Sequence, residues 1–192
     1  MSFTNYKKSI LSRQDNSNKG SIDKPVIPLI TAINALNNYC TTSSCSGRIV
    51  IHDATAKKNE FKTLFSSHDK VQFAQIKQVL TDSLAIPANA ELWFRFEPII
   101  LHVACDSLDS ANNLLNLARP HFKHSGILSM NQRLNRYILE IRGSEFIEAP
   151  LALNNTLIVS DELLCILCAS ANKKLKETHK RMNNFMEMLE KR

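Results

Sequence analysis

Residues 92–105 read Leu92-Trp93-Phe94-Arg95-Phe96-Glu97-Pro98-Ile99-Ile100-Leu101-His102-Val103-Ala104-Cys105. Apolar and polar side chains alternate over residues 92–97, which is the period of a half-buried strand. The apolar run continues over residues 99–105, beyond a proline that cannot donate to a strand ladder. Pro98 therefore predicts a bend, or the start of a new strand, between two strand segments.

The segments on either side carry both helical and strand patterns. Asp23 is predicted to cap a helix that tolerates Pro25 in its first turn, and Ser160 is predicted to cap a long final helix. Periodicity predicts further helices at 3–13, 73–84 and 108–118, and strands at 48–52, 60–65, 125–130 and 136–142. We therefore expect an α+β fold of short strands and helices, with one compact domain over 1–192 and a C-terminal helix over 160–192.

The chain has four glycines, which lie far apart at Gly20, Gly47, Gly126 and Gly143. This spacing excludes the G-x-G-x-x-G turn of dinucleotide-binding folds and the glycine-rich phosphate loop of nucleotide hydrolases. The chain also does not repeat the βαβ unit of a parallel sheet. A Rossmann-type fold is therefore not expected, and each glycine predicts a sharp turn or a close approach to a ligand.

Composition sets broad limits on the class of protein. The chain of 192 residues is 44% hydrophobic, which is enough for a core, and its formal charge of +6 suits a polyanionic partner. No apolar run reaches the roughly 18 residues of a membrane span, and the polar residues 1–5 do not resemble a signal peptide. Five cysteines follow no secreted framework. These features predict a soluble, cytoplasmic protein with reduced thiols.

Residues 41–48 read Thr41-Thr42-Ser43-Ser44-Cys45-Ser46-Gly47-Arg48, with six consecutive hydroxyl or thiol side chains. They lie between a helical pattern and an apolar strand pattern, and we expect them to form a loop. Short hydroxyls offer many donors and acceptors, Gly47 allows close backbone approach, and Arg48 suits an anion or a base. The alternative is an ordinary Ser/Thr-rich connector.

Five blocks of sequence together resemble one enzyme family. They are residues 11–23, 41–48, 96–103, 124–127 and 141–144. In this order and spacing they are similar to the wybutosine-synthesis methyltransferases, and the resemblance covers residues 6–189. It implies methyl transfer from S-adenosylmethionine to the N4 ring nitrogen of a tricyclic guanine derivative, 7-aminocarboxypropyl-demethylwyosine. It also implies that the partner is phenylalanine tRNA, which carries this precursor beside its anticodon.

The resemblance also implies where the site lies, and we expect its segments to converge on one cleft. The residues expected to bind the cofactor are Ser43, Ser44, Cys45, Ser46, Gly47, Ser125 and Gly126. Those expected to bind tRNA are Lys19, Thr41, Thr42, Arg48 and Arg142, and the two arginines would also suit the methionine carboxylate of the cofactor. A base that removes the N4 proton would help the reaction, and the candidates are Asp15, Asp23, Glu97 and His102; no metal is expected.

Several of these assignments have a structural alternative. Asp15 and Lys19 would also serve to cap and solvate the helix that follows them. Glu97 would also fit a surface position, with His102 a core histidine whose ring nitrogens are hydrogen-bonded. Cys165 and Cys168 form a C-x-x-C without a second pair, so we expect small core residues and not a zinc site.

Two other classes of function remain open at this point. The final helix carries Lys173, Lys174, Lys176, Lys180 and Arg181, which would suit a non-catalytic RNA-binding module as well as a tRNA enzyme. A Cys45-dependent hydrolase or transferase is the other alternative. Binding of S-adenosylmethionine separates the first alternative from a methyltransferase, and the activity of Cys45→Ser separates the second.

Overall fold

The computed structural model of the chain describes residues 2–12, 22–55, 62–83, 90–154 and 156–191. In chain order its helices and strands are α1 (Phe3–Leu11), α2 (Ile27–Ala35), β1 (Tyr39–Cys45), β2 (Arg48–Asp53), β3 (Lys62–Ser67), α3 (Phe73–Ser83), β4 (Leu92–Glu97), β5 (Ile100–Cys105), α4 (Leu108–Ala118), β6 (Gly126–Asn131), β7 (Arg136–Arg142), β8 (Ile147–Leu153), β9 (Thr156–Leu157) and α5 (Asp161–Glu190). Short 3-10 helices span Lys24–Val26 and Gln132–Leu134.

The chain divides into two compact units, each made of discontinuous segments. The first comprises Met1–Ser46, Ile99–Ser144 and Thr178–Arg192, and the second comprises Gly47–Pro98 and Glu145–Glu177. That the whole of 1–192 acts as one domain stays a prediction.

The first unit contains a four-stranded antiparallel sheet in the order β1-β5-β7-β6. One face of this sheet is apolar because every second residue of its central strands is buried. Its core is formed by the sheet residues Leu101, Val103, Leu139 and Ile141 with the helix residues Ile33, Leu114, Met182, Phe185 and Leu189. The opposite face of the sheet is therefore free to carry polar side chains.

The second unit contains a five-stranded antiparallel sheet in the order β3-β2-β4-β8-β9. Its core is formed by Ile49, Ile51, Phe94 and Phe96 from the sheet with Ile76, Leu80, Leu164, Cys168 and Leu175 from the helices. Pro98 separates β4 of this sheet from β5 of the other sheet. The prediction that Pro98 precedes a new strand is therefore confirmed.

Most predicted elements are confirmed, with the long final helix among them. Ser160 caps that helix, because its Oγ accepts a hydrogen bond from the amide of Leu163 at 3.2 Å. Both sheets are antiparallel throughout the described residues, so the α+β class is confirmed and the doubly wound parallel sheet is excluded. The strands β8 and β9 were not predicted.

The prediction of a loop at residues 41–48 is correct for Ser46 and Gly47, which connect β1 to β2, and wrong for the rest. Residues 41–45 belong to β1, which is the edge strand of the first sheet. Backbone pairing with β5 satisfies the main-chain groups of this segment on one side. An edge strand also tolerates polar side chains because part of it faces solvent.

We predict that Phe185→Ala lowers the free energy of unfolding by about 3–5 kcal/mol, as expected for a fully buried phenylalanine. The Phe185 ring is fully buried and packs edge-on against Phe122 with ring centroids 5.9 Å apart. Urea unfolding followed by circular dichroism measures the change. The matched control is Phe146→Ala, since Phe146 is 56% exposed and its loss should change stability by no more than about 0.5 kcal/mol. Equal losses in the two variants would contradict the assigned core.

Candidate active site

A β-bulge in β1 determines which hydroxyl side chain of this strand lies opposite His102 of β5. The register of the two strands shifts between Thr41, which pairs with Val103, and Ser43, which pairs with His102. Thr42 is the extra residue, and its hydroxyl donates a hydrogen bond to the His102 carbonyl at 3.3 Å. Without this bulge Thr42 would lie opposite His102. The bulge therefore places the smaller side chain of Ser43 there.

Thr41 is fixed by a helix residue that precedes it in the chain. The Asn34 amide donates to the Thr41 hydroxyl at 2.8 Å, and the Thr41 backbone N–H donates to the Asn34 side-chain oxygen at 2.8 Å. These two bonds tie α2 to β1. In this structure the polar groups of Thr41 and Thr42 shape the strand, and their contact with tRNA stays a prediction.

One row of residues crosses all four strands of the first sheet. Ser43 pairs with His102, His102 pairs with Glu140, and Glu140 pairs with Gly126. Because Leu101 and Leu139 point into the core, their neighbours His102 and Glu140 point to the opposite face. Three of the predicted site residues, Ser43, His102 and Gly126, thereby lie in one row, with Glu140 between His102 and Gly126.

His102 and Glu140 form a pair at the centre of this row. The distance between His102 Nε2 and Glu140 Oε2 is 3.1 Å, and the two side chains are 28% and 22% exposed. No other hydrogen bond of the His102 ring occurs within the described part of the chain, which leaves Nδ1 available. Sequence reasoning missed Glu140, although a glutamate between the apolar residues Leu139 and Ile141 of a strand is a signal for a polar face.

The next row of the same face adds a cation. Cys45 pairs with Ile100, and Ile100 pairs with Arg142. Arg142 is exposed, and its guanidinium makes no hydrogen bond or ion pair with any described residue. Arg142 follows Glu140 by two residues and so lies on the same face. The face thus offers a hydroxyl, an imidazole and a guanidinium to a ligand.

Asp23 and Ser46 form a buried pair in the same unit. The Asp23 Oδ2 accepts hydrogen bonds from the backbone N–H of Ser46 at 3.0 Å and from its hydroxyl at 3.3 Å. Asp23 is 5% exposed and Ser46 is fully buried. Asp23 precedes the first 3-10 helix but makes no side-chain capping bond, so the predicted cap is wrong. Its carboxylate is turned towards Ser46 instead.

Ser125 is buried and its hydroxyl is used inside the unit. It donates to the Phe122 carbonyl at 2.7 Å and accepts from the Arg142 backbone N–H at 3.2 Å. The neighbouring Gly126 is different, because a Cβ built on it would meet no described heavy atom within 4 Å. Ser125 therefore fixes the strand that carries Arg142, whereas Gly126 leaves open space next to Glu140.

The second unit holds three of the predicted residues, Gly47, Arg48 and Glu97. Arg48 and Glu97 are opposite each other on β2 and β4, and the distance from Arg48 Nε to Glu97 Oε2 is 2.6 Å. Gly47 has a φ of 90°, a conformation that favours glycine, and its carbonyl lies 3.0 Å from Nδ1 of His68. Glu97 thus has an arginine partner, and His102 has a glutamate partner.

Two predicted residues, Asp15 and Lys19, lie outside the described residues. Their proposed roles as a base and a tRNA contact stay predictions. The same holds for the roles of Ser44 and Cys45, which are half-buried in β1.

The buried thiols are poorly suited to nucleophilic chemistry. Burial raises the pKa of Cys105 to about 12 and that of Cys168 to about 11, and it also raises the pKa of Cys40. A thiol with a raised pKa holds less of the reactive thiolate. Cys165 is exposed, so the prediction that both C-x-x-C residues are core residues is wrong for Cys165.

A family model described as "Methyltransferase TYW3" matches residues 5–191. The chain belongs to this methyltransferase family. Its resemblance to the wybutosine-synthesis methyltransferases is therefore confirmed, and the protein is an enzyme of methyl transfer in wybutosine synthesis.

Two relatives and one solved structure illustrate how far the TYW3 similarity extends. A zebrafish (Danio rerio) "tRNA wybutosine-synthesizing protein 3 homolog" is 33% identical, over 98% of this chain and 75% of the relative. The "tRNA(Phe) 7-((3-amino-3-carboxypropyl)-4-demethylwyosine(37)-N(4))-methyltransferase" of Thermococcus sibiricus is 34% identical, over 96% and 92% of the two chains. The structure of the PH1069 protein from Pyrococcus horikoshii superimposes with a TM-score of 0.85 at 30% identity, covering 97% of this chain and 95% of that one. The TYW3 fold thus accounts for nearly all of the chain.

Among the described residues, no helix combines the length and the hydropathy that crossing a membrane requires.

We predict that Ser46→Ala destabilises the protein by about 1–2 kcal/mol, because a buried carboxylate loses a hydroxyl donor. Ser129→Ala is the matched control, since Ser129 is exposed on β6 and should change stability by no more than about 0.5 kcal/mol. Urea unfolding and calorimetry with S-adenosylmethionine are both measured. If Ser46→Ala keeps its stability but loses ligand affinity, the Ser46 hydroxyl serves a ligand and not Asp23.

Proposed function

We propose that this TYW3-family enzyme transfers a methyl group from S-adenosylmethionine to N4 of 7-aminocarboxypropyl-demethylwyosine in phenylalanine tRNA. The reaction agrees with the name of the Thermococcus sibiricus relative. The observation that carries the proposal is the pair of His102 and Glu140 on the polar face of a sheet, with Nδ1 of His102 available. This arrangement suits the removal of a proton from a ring nitrogen.

Of the four candidate bases, we favour His102. Asp23 is buried and accepts two hydrogen bonds from Ser46, and Glu97 is paired with Arg48 at 2.6 Å. His102 is partly exposed and keeps a ring nitrogen for a ligand. Histidine is also the side chain that most often moves protons in enzymes near neutral pH.

The side chains on this face fit S-adenosylmethionine. Arg142 offers a guanidinium to the methionine carboxylate, Ser43 offers a hydroxyl, and Gly126 leaves space that a side chain would fill. The cofactor supplies an activated methyl group on a sulfonium. In such a reaction the residues mainly hold the two reactants in line, because positioning can supply most of the acceleration.

Contact with tRNA is assigned to one face of α5. Lys173, Lys176 and Lys180 are exposed and recur at positions i, i+3 and i+7, which places them on the same side of the helix. Each can neutralise a phosphate, and such contacts supply affinity without reading sequence. Lys174 and Arg181 are half-buried and widen the basic surface.

The Cys45-dependent alternative gains no support from the register of the first sheet. The residue opposite Cys45 on β5 is the apolar Ile100, and within the first unit a carboxylate oxygen of Asp23 lies within 4.8 Å of the Cys45 Sγ, where a negative charge opposes formation of a thiolate. A thiol nucleophile usually requires a base or a cation to activate it. We therefore retain the methyltransferase.

We predict that the protein binds S-adenosylmethionine in calorimetry and methylates precursor tRNA in single turnover. His102→Ala should slow single turnover about 100- to 10,000-fold at saturating tRNA, the range expected for loss of a general base. The matched control is His121→Ala: His121 is half-buried and its Nε2 contacts the Met188 sulfur, away from the polar row. An absence of cofactor binding by the wild type would support a non-catalytic RNA-binding module instead.

We predict that neutralising Lys173, Lys176 and Lys180 to glutamine weakens tRNA binding but leaves saturated turnover nearly unchanged. The slope of log affinity against log salt should flatten by about one unit for every phosphate that a lysine no longer neutralises. The control variant neutralises Lys8, Lys70 and Lys123, three exposed lysines outside α5, and so removes the same charge. An equal drop in affinity for the two variants would show that net charge, and not the α5 face, binds tRNA.

A further inference from the structure

We propose that Glu140 is the positioning residue of this reaction, because it holds His102 in the tautomer that presents Nδ1 to the substrate. This inference rests on the proposed function, in which His102 takes the N4 proton. Neither the sequence motifs nor the names of the relatives assign a role to Glu140. Its role follows from the register of two strands and from the hydrogen bond between the side chains.

The pairing of β5 with β7 places Glu140 directly opposite His102. The Glu140 carboxylate has no other hydrogen-bond or ion-pair partner within the described residues, although Arg142 lies two residues further along the same face. Within the described residues, the Glu140 carboxylate therefore makes its hydrogen bond to the His102 imidazole alone. Burial of Leu139 and Ile141 on the other face of β7 holds Glu140 in this position.

The hydrogen bond fixes the proton on one ring nitrogen. A carboxylate only accepts hydrogen bonds, so at 3.1 Å from Oε2 the His102 Nε2 must be the donor. In a neutral imidazole one nitrogen donates and the other accepts, so Nδ1 carries the lone pair. The Nδ1 atom is the one without a partner among the described residues, and it is therefore the atom that meets the substrate.

The proton then follows a complete path. N4 forms its bond to the methyl carbon while the carbon–sulfur bond breaks and the electron pair leaves with sulfur. The N4 proton moves to Nδ1 of His102. The resulting imidazolium donates through Nε2–H to the negative Glu140 carboxylate, which stabilises the added charge, and Nδ1 returns the proton to solvent after product release.

Gly126 is the last residue of the row that crosses the sheet, and it lies on the outer strand β6. Its Cα lies opposite that of Glu140, and a Cβ there would meet no described atom within 4 Å. The backbone at Gly126 thus does not require glycine for space within the unit. The open volume beside Glu140 is where a planar base or the cofactor can approach the His102 ring.

The test measures the tautomer of His102 and the rate of methyl transfer separately. Heteronuclear NMR of nitrogen-labelled protein without ligands reports which ring nitrogen carries the proton. In wild type we expect the proton on Nε2 alone. In Glu140→Ala we expect a mixture of tautomers and single turnover slowed about 10- to 100-fold, while the KM for tRNA and the affinity for S-adenosylmethionine stay unchanged.

Two further variants separate orientation from charge. Glu140→Gln keeps an oxygen that accepts from Nε2–H, so the tautomer should be retained and the rate should lie between wild type and Glu140→Ala. Glu140→Asp is one methylene shorter, loses reach to Nε2, and should resemble Glu140→Ala. The matched control is Glu148→Ala, because Glu148 also pairs across strands, with Arg95 at 2.6 Å, and should leave both readouts unchanged.

The outcomes are distinct. If Glu140→Ala keeps the wild-type tautomer, or if its rate is unchanged with a folded protein of normal thermal midpoint, Glu140 does not position His102. If wild type shows the Nε2 tautomer and its dependence on Glu140 but transfers no methyl group, the arrangement stands and the proposed function fails.

Discussion

The alternation of β5 is the constraint on which the candidate site depends. Leu101 and Val103 are fully buried, and because successive side chains of a strand point to opposite faces, His102 must face away from the core. A slip of one residue would expose both apolar side chains, at a cost of about 1.5–3 kcal/mol for each, and would bury the imidazole. Burial of the core therefore fixes the position of the His102 imidazole.

The polar character of β1 is consistent with its place at the edge of the sheet. An edge strand pairs on one side only, so its other side must be satisfied by side chains or solvent. Asn34 makes two hydrogen bonds with Thr41, and Asp23 receives two from Ser46, at the two ends of the hydroxyl-rich segment. Between these two anchors, Ser43 lies opposite His102 and so places its hydroxyl on the polar face.

Sequence patterns predicted where helices and strands occur better than which residues of different strands lie opposite each other. The alternation in residues 92–97 and the cap at Ser160 are local, so both could be predicted from neighbouring residues. The pairing of His102 with Glu140 links residues on two strands that are far apart in sequence, and no local pattern specifies it. The strand β8 was missed because Pro150 interrupts its pattern, yet the strand accommodates this proline opposite Trp93.

An antiparallel sheet binds a ligand through different chemical groups from those that a Rossmann fold uses. In parallel α/β folds, glycine-rich turns and helix N-termini at the ends of the strands hold the ligand through the backbone. The face of the first sheet offers side chains, because its backbone groups are used in strand pairing. On this face the groups that a ligand can meet are side chains such as those of Ser43, His102 and Arg142, and the face is open at Gly126. Dispersed glycines and a row of polar residues are therefore two consequences of the same architecture.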